Sequence, residues 1–216
     1  MPAAVCSTCQ RQIRAQEYRS RQAFWRSDLP VFPWGEYSGA LRRSLTALKY
    51  ERQPQIAQPL GRYLAQAWLA SAEHKEIKRQ SVKRQDVKRR RICRPLRITV
   101  IPIPMYAEKR RQRGYDQAVL IAQQFCAVTR YPLQRQGLIR GRATSAQFGL
   151  SPSEREANLA GAFRVSPALA KSRSSILLID DIYTTGATAR AAADVLQRAG
   201  LPVLGLLAVA SPSYRR

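Results

Sequence analysis

The sequence predicts an α/β protein, a mainly parallel sheet flanked by helices, and three features of its second half carry that prediction. Ser175-Ile176-Leu177-Leu178-Ile179 is a continuous apolar run, the pattern of a strand buried on both faces. An Ala-rich helical stretch follows from Thr188 to Ala199, closed by Gly200 where a left-handed cap residue belongs. Val203 to Val209 then supplies a further strand. Strand, helix and strand in that order, joined by right-handed crossovers, give a parallel sheet covered by helices.

The chain divides into four parts. Residues 1–30 hold Cys6-Ser7-Thr8-Cys9 and an Arg-rich run without core periodicity. Residues 31–74 read as helical: Leu41, Leu45 and Leu48 fall at helical spacing after Ser38-Gly39. Pro59 opens a second helix with Leu60, Leu64, Ala67 and Trp68 as its apolar stripe. Residues 75–97 carry eleven Lys and Arg against Glu76 and Asp86, a net +9 with few apolar positions. Such a segment buries little and reads as a solvated, flexible insertion rather than a dedicated nucleic-acid arm. Residues 98–216 form the α/β core. There Ile98-Thr99-Val100-Ile101 is a β-branched strand ending at Pro102, and Gln117 to Val128 is a helix with Ala118, Ile121, Ala122 and Phe125 on one face.

Charge bounds the function. The 216 residues carry 37 Lys and Arg against 14 Asp and Glu, a formal +23, and 14 of that excess lies outside the 75–97 segment. This surface favours polyanions: nucleic acid, an anionic membrane, or phosphorylated small molecules. Arg outnumbers Lys 30 to 7; this suits bidentate phosphate binding, and a GC-rich genome would produce the same bias. The longest apolar stretch, Val203 to Ala210, is too short to span a bilayer, and Met1 to Arg14 has no apolar core of a secretory signal. Four Cys without a signal argue for a reducing compartment, so a cytoplasmic location is expected.

The densest chemistry lies in Ile176-Leu177-Leu178-Ile179-Asp180-Asp181-Ile182-Tyr183-Thr184-Thr185-Gly186-Ala187-Thr188. A buried strand ends in two carboxylates, a hydroxyl-rich turn follows, and a helix begins. Ligands of open α/β sheets sit at such strand ends. The turn and helix N-terminus aim backbone N–H groups at one point, and Gly186 lets an anion approach without a Cβ in the way. Two adjacent carboxylates would repel a phosphate, so Asp180 and Asp181 suit sugar hydroxyls or a bridging Mg²⁺ instead. No Lys follows the glycine and no Gly-x-Gly-x-x-Gly occurs, which excludes a Walker loop and a dinucleotide fingerprint.

This segment resembles the phosphoribosyl pyrophosphate (PRPP) fingerprint of the type I phosphoribosyltransferases. The resemblance implies that Asp180 and Asp181 hold the ribose hydroxyls, while Thr184, Thr185, Gly186, Ala187 and Thr188 wrap the 5′-phosphate. More of the chain is similar to one branch, the ComF/GntX family, whose competence members serve DNA uptake. Ile101-Pro102-Ile103-Pro104, Arg110 and Arg113-Gly114-Tyr115-Asp116-Gln117 look like its proline-rich strand end and Arg-Gly-aromatic-Asn-Gln stretch, with Asp116 in place of Asn. Tyr37-Ser38-Gly39 with Leu48-Lys49-Tyr50, and Arg140 through Phe163, resemble two further runs, so the likeness spans residues 31–70 and 98–210.

The resemblance implies a type I phosphoribosyltransferase fold, PRPP brought with Mg²⁺, Arg110 and Arg113 at the leaving pyrophosphate, and a loop from Thr144 to Asn158 delivering Arg155 and Gln147. It also implies an N-terminal zinc ribbon. Here only Cys6 and Cys9 of the expected pairs are present, so the ribbon reads as degenerate and zinc as doubtful. His74 reads as a surface residue. Three functions stay open: a PRPP-binding, single-stranded-DNA-binding protein of competence, with the competence machinery as partner; an active transferase moving ribose 5-phosphate to a base or amine; or a plain basic nucleic-acid binder with a vestigial pocket. The insertion has no aromatic platform for bases; Phe24, Trp25, Trp34 and Tyr37 are the candidates.

Overall fold

The computed structural model describes residues 5–19, 29–86, 97–141 and 161–212. In chain order these form α1 (Ser7–Arg14), β1 (Val31–Glu36), α2 (Gly39–Tyr50), a 3₁₀ turn (Pro54–Ile56), α3 (Ala57–Ala70) and α4 (Ala72–Asp86). Next come β2 (Ile98–Pro102), α5 (Ala107–Arg113), α6 (Gln117–Thr129), β3 (Leu138–Arg140) and β4 (Phe163–Val165). The chain ends on α7 (Pro167–Ala170), β5 (Ser175–Ile182), α8 (Ala187–Arg198) and β6 (Val203–Ser211).

Four strands make one sheet in the order β1-β6-β5-β2, every neighbouring pair parallel. The parallel α/β sheet expected from the sequence is therefore present. Register sets Leu178 of β5 between Ile101 of β2 and Leu206 of β6. The period of two along β5 sends Ile176 and Leu178 to one face and Leu177 and Ile179 to the other. Both faces are covered, which is why the strand reads as unbroken apolar sequence. On one side α8 packs Ala189, Ala192, Ala193 and Leu196 onto the sheet. On the other, Leu45 of α2, Leu64 and Trp68 of α3, and Phe125 of α6 close a larger core around Phe32 and Trp34.

Several elements differ from the sequence reading. Val31–Glu36, which carries no helical or strand alternation, is an edge strand of the same sheet. Trp34, expected as a platform for bases, is buried there and stacks on Tyr63 with ring centroids 5.5 Å apart. The N-terminal run contains a helix, α1, anchored through a fully buried Ile13. The basic segment begins as a helix, α4, running through Asp86; residues 87–96 lie outside the described residues. His74, expected at the surface, is buried: its Nδ1 lies 3.2 Å from the Leu69 carbonyl and its ring packs against Trp68 and Tyr131. Burial lowers its proton affinity, outweighing the Leu69 carbonyl. Among the described residues no helix is long and apolar enough to cross a membrane.

The tightest helix contact is α3 on α6, and it depends on a residue without a side chain. A Cβ at Gly61 would lie 2.5 Å from the Ile121 carbonyl oxygen and 2.6 Å from Gln124 Cβ. The backbone carbonyl cannot rotate away, so the helices would have to separate. Gly61→Ala should therefore destabilise the protein by about 1–3 kcal/mol despite alanine's better helix propensity. A denaturant midpoint equal to the parent's would show that the helices do not approach this closely.

Candidate functional site

Because all four strands run the same way, their C-terminal ends share one edge, and the loops after β2 and β5 and the start of α2 gather there. Asp180 and Asp181 stand at the end of β5, with Asp180 paired with Ala208 of β6 and just beyond the last β2 partner. Asp181 is buried and Asp180 half-buried. Asp180 Oδ1 accepts a hydrogen bond from the Asp181 amide at 2.8 Å. Asp181 Oδ2 lies 2.9 Å from Lys49 Nζ, an ion pair reaching from the last turn of α2. Arg140, at the end of β3 and stacked over Phe163, is the second cation whose field reaches Asp180.

A third carboxylate belongs to the same neighbourhood. Asp116 caps α6: its Oδ1 accepts from the amides of Ala118 and Val119 at 3.0 and 3.3 Å, and its Oδ2 accepts from Met105 N at 2.9 Å. Three backbone donors on two side-chain oxygens explain the Asp where the resembled family has Asn. An amide group has one acceptor oxygen, and its NH₂ would face the Met105 donor.

The turn after β5 enters α8 through Gly186, whose φ of +77° is left-handed. The Thr185 hydroxyl lies 3.5 Å from the Ala187 amide, and Arg190 Nη1 donates to the Thr185 carbonyl at 3.0 Å. Asp180 and Ile182 through Ala189 line a recess of about 30 Å³. The room beside Gly186 is already taken: a Cβ there would meet Tyr183 Oη at 2.7 Å and Arg190 Nη1 at 2.8 Å. The cradle is thus backed by a guanidinium.

A wider groove of about 370 Å³ adjoins the acidic pair, lined by Lys49, Tyr50, Arg52, Lys109, Gln112 and Arg113. Lys49 belongs to both. Arg113 sits over the Tyr50 ring at 5.5 Å and donates to Gln117 Oε1. Tyr115 ties this turn to α2 through the Leu48 carbonyl. Arg110 lies on the exposed side of α5, outside the groove lining. Of the two arginines, Arg113 lines the groove together with Lys49. Arg155, Gln147 and the rest of the Thr144–Asn158 stretch lie outside the described residues. That stretch leaves from Gly141 and returns at Gly161, where Gly141 N bonds the Ala162 carbonyl at 3.0 Å, next to Arg140.

No protein-family model matches the chain. The DNA utilization protein YhgH of Salmonella typhi is 26% identical over 212 aligned positions, covering 91% of this chain and 85% of that protein. The protein of the same name from Escherichia coli strain K12 gives the same identity and coverage. Competence protein F of Haemophilus influenzae is 34% identical over 105 positions, 47% of this chain and 45% of its own length. These are homologues. They support the ComF-family side of the resemblance.

Sequence reasoning missed Lys49, Arg140, Tyr183 and Arg190 as parts of the site. Arg190 was legible, since it stands one helical turn beyond Gly186 and faces back toward it. Lys49 and Arg140 reach the carboxylates only through tertiary packing. Cys6 and Cys9 are exposed and free. Among the described residues no group of three or more His, Cys, Asp or Glu could hold a metal.

Electrostatics at this edge are unbalanced. Burial first, and then the Asp181 charge, push the Asp180 carboxyl well above the ordinary carboxylate range. Asp116 is also raised, by burial outweighing its three amide donors. Burial depresses Lys49, but the Asp181 and Asp180 charges outweigh it and hold the ammonium above its usual value. For Asp180 the folded protein binds a proton more tightly than the unfolded chain, so stability falls as pH rises through that interval. Asp180→Asn should raise the melting temperature at neutral pH. The gain should vanish at acidic pH, below the ordinary carboxylate range, where the parent's Asp180 is protonated in both states. A gain of the same size at both pH values, or a loss at neutral pH, would contradict this assignment.

Proposed function

We propose that the chain binds PRPP or a closely related phosphoribosyl ligand, and acts in DNA uptake or utilization through contact with single-stranded DNA. The observation that supports it most directly is the strand-end constellation: Asp180 and Asp181 at the end of β5, followed at once by the Thr184–Thr188 turn entering α8. Carboxylates suit vicinal ribose hydroxyls as acceptors, and the helix N-terminus with the Arg190 guanidinium suits a 5′-phosphate. The groove holding Lys49, Arg52, Lys109 and Arg113 shares Lys49 with the acidic pair and would supply cations for a pyrophosphate on the same sugar. The names of the homologues supply the DNA part of the reading.

Mg²⁺ would suit as a companion of the ligand: bound with PRPP, it would supply counter-charge for the pyrophosphate beside a carboxylate pair in which burial, and then the Asp181 charge, raise Asp180. The chain's own residues do the positioning. Asp180 and Asp181 would orient the ribose, Arg190 would neutralise the 5′-phosphate, and Arg113 with Lys49 would meet the developing charge if pyrophosphate leaves. Turnover is a second reading, in which the same groove stabilises the departing group. Arg155 would then be supplied by the Thr144–Asn158 stretch.

Calorimetric titration with PRPP, with and without Mg²⁺, tests the ligand. Arg190→Gln, which keeps a polar side chain but removes the charge and shortens the reach, should weaken Mg²⁺-dependent binding by about tenfold or more, the worth of a hydrogen bond to a charged group. Gly186→Val is a poorer probe, because its side chain would collide with Tyr183 and Arg190 at a left-handed φ whether or not phosphate binds there. Equal affinity of parent and Arg190→Gln would remove the guanidinium from the cradle. No binding by the parent would remove PRPP.

The DNA contact has its own test. Deleting residues 75–97 would also remove Ile77, which packs on the main core, so charge neutralisation is cleaner. Changing Lys88, Arg89, Arg90 and Arg91 to Gln should weaken single-strand binding without altering sequence preference. The slope of log affinity against log salt should flatten by about 0.7 for each phosphate that is no longer neutralised. An unchanged slope would make the segment a solvated spacer.

A further inference from the structure

Outside the sheet edge, the most developed feature is the cleft between α1 and α2. It has a volume of about 570 Å³, and Cys6 and Cys9 both line it. Cys6 is the N-cap of α1, and its Sγ accepts a hydrogen bond from the Cys9 amide at 3.4 Å. The N-cap and third helical residues face one another across the first turn, so the two sulfurs are neighbours by construction. Arg42 and Arg43 stand on the α2 side of the same cleft, with Glu51 beyond them. Two free, exposed thiols at Cys-x-x-Cys spacing on a helix start therefore open into a cavity of ligand size with cationic walls.

We propose that Cys6 and Cys9 form a reversible dithiol–disulfide pair, with Cys6 as attacking sulfur and Cys9 as resolving sulfur, and that the cleft docks an anionic low-molecular-weight disulfide of the glutathione class. The Cys6 thiolate attacks one sulfur of the small disulfide, forming a mixed disulfide as the first small thiolate leaves. The Cys9 thiolate then attacks Cys6 Sγ, the intramolecular S–S bond forms, and the second small thiolate departs. The protein loses two electrons and two protons; the small disulfide gains both and becomes two thiols.

The environment assigns the two roles. The hydrogen bonds from Cys9, its backbone amide first, lower Cys6 below an ordinary thiol, and the Arg11 charge adds to them. The same contact raises Cys9, against a small opposing effect of Arg43. A helix N-cap thiol with a resolving partner three residues on is the arrangement in which the first sulfur is nucleophilic and the second waits. Cys126 is the internal contrast: it is half-buried, and burial pushes its thiol up to about 12. Arg42 and Arg43 would draw the carboxylates of an acidic disulfide into the cleft, and Glu51 is placed for its amine.

The test uses the full chain with Cys93 and Cys126 replaced by Ser, so that only the pair reports. With oxidised glutathione at pH 7, this protein should lose both thiols and end two hydrogens lighter, with no adduct retained. Adding Cys9→Ser should trap one glutathionyl group on Cys6. Adding Cys6→Ser instead should leave Cys9 reacting at least about tenfold more slowly. Arg42→Ala with Arg43→Ala should slow trapping by oxidised glutathione several-fold while leaving the rate with uncharged hydroxyethyl disulfide unchanged. Melting curves matching the parent's confirm that each variant is folded. Equal rates at the two cysteines, or a retained adduct in place of the internal disulfide, would overturn the pair. Equal slowing with both disulfides would overturn the docking cleft. Thiols that react only after a chelator strips a metal would make the pair a ligand set and overturn the proposal.

Discussion

The ion pair between Lys49 and Asp181 links the two halves of the fold at the point where the chemistry is expected. Lys49 lies in the last turn of the helix that follows the edge strand β1, and Asp181 stands at the end of the central strand β5. Neither could be there without the other. A lone carboxylate buried at a strand end would carry a large desolvation cost, and a lone buried ammonium would carry the same. Such pairs stabilise little compared with apolar packing of equal volume, so stability alone does not explain this one. Three carboxylates and two cations converge on an edge where four parallel strands stop. The surrounding residues hold this charge in a fixed geometry: α2 through Tyr115, α6 through the Asp116 cap, and β3 through Arg140.

How much of this was legible follows from the range of each interaction. The β5 strand, its two terminal carboxylates, the turn and α8 are contiguous, so their order in sequence is their order in space. The helices α2, α3 and α6 showed their buried faces as spaced Leu, Ala and Phe. The strand β1 did not, because Pro33 and Gly35 interrupt the pattern that marks a strand. Only an edge position tolerates a proline that cannot donate to the ladder, and β1 is an edge. His74 misled for a related reason. It follows a helix end and precedes a basic run, yet a one-residue break at Ser71 turns the chain so that the ring folds back onto Trp68. Lys49 and Arg140 depend on contacts between distant segments, and no local pattern announces them.

Three of the carboxylates stand apart from the surface charge. With 37 cations against 14 anions, most carboxylates could be expected to sit in surface ion pairs, as Glu76 with Arg79 and Asp194 with Arg198 do. Asp116, Asp180 and Asp181 do not. They cluster inside, one committed to backbone amides and two held at a strand end, and burial first, then the Asp181 charge, penalises ionisation of Asp116 and Asp180. Groups whose ionisation is penalised by burial and by like-charged neighbours mark sites where a ligand completes the electrostatics.

Lys49 is shared between the acidic pair and the basic groove, and that sharing constrains how the two can be used. Its ammonium can face Asp181 or an anion in the groove, and each contact weakens the other's hold on it. An anion in the groove shields Lys49 from Asp181 and leaves the carboxylate pair less neutralised, which strengthens its attraction for a cation or for hydroxyl donors. A pyrophosphate carrying a divalent cation, attached to a sugar with two free hydroxyls, answers both needs in one molecule. A nucleic-acid backbone answers only the first, because it brings phosphate to the groove without counter-charge for Asp180 and Asp181. On the proposed reading, the electrostatics of this edge would therefore suit a phosphorylated sugar at the strand end better than a nucleic-acid backbone, whose phosphates would meet the positive charge elsewhere on the chain.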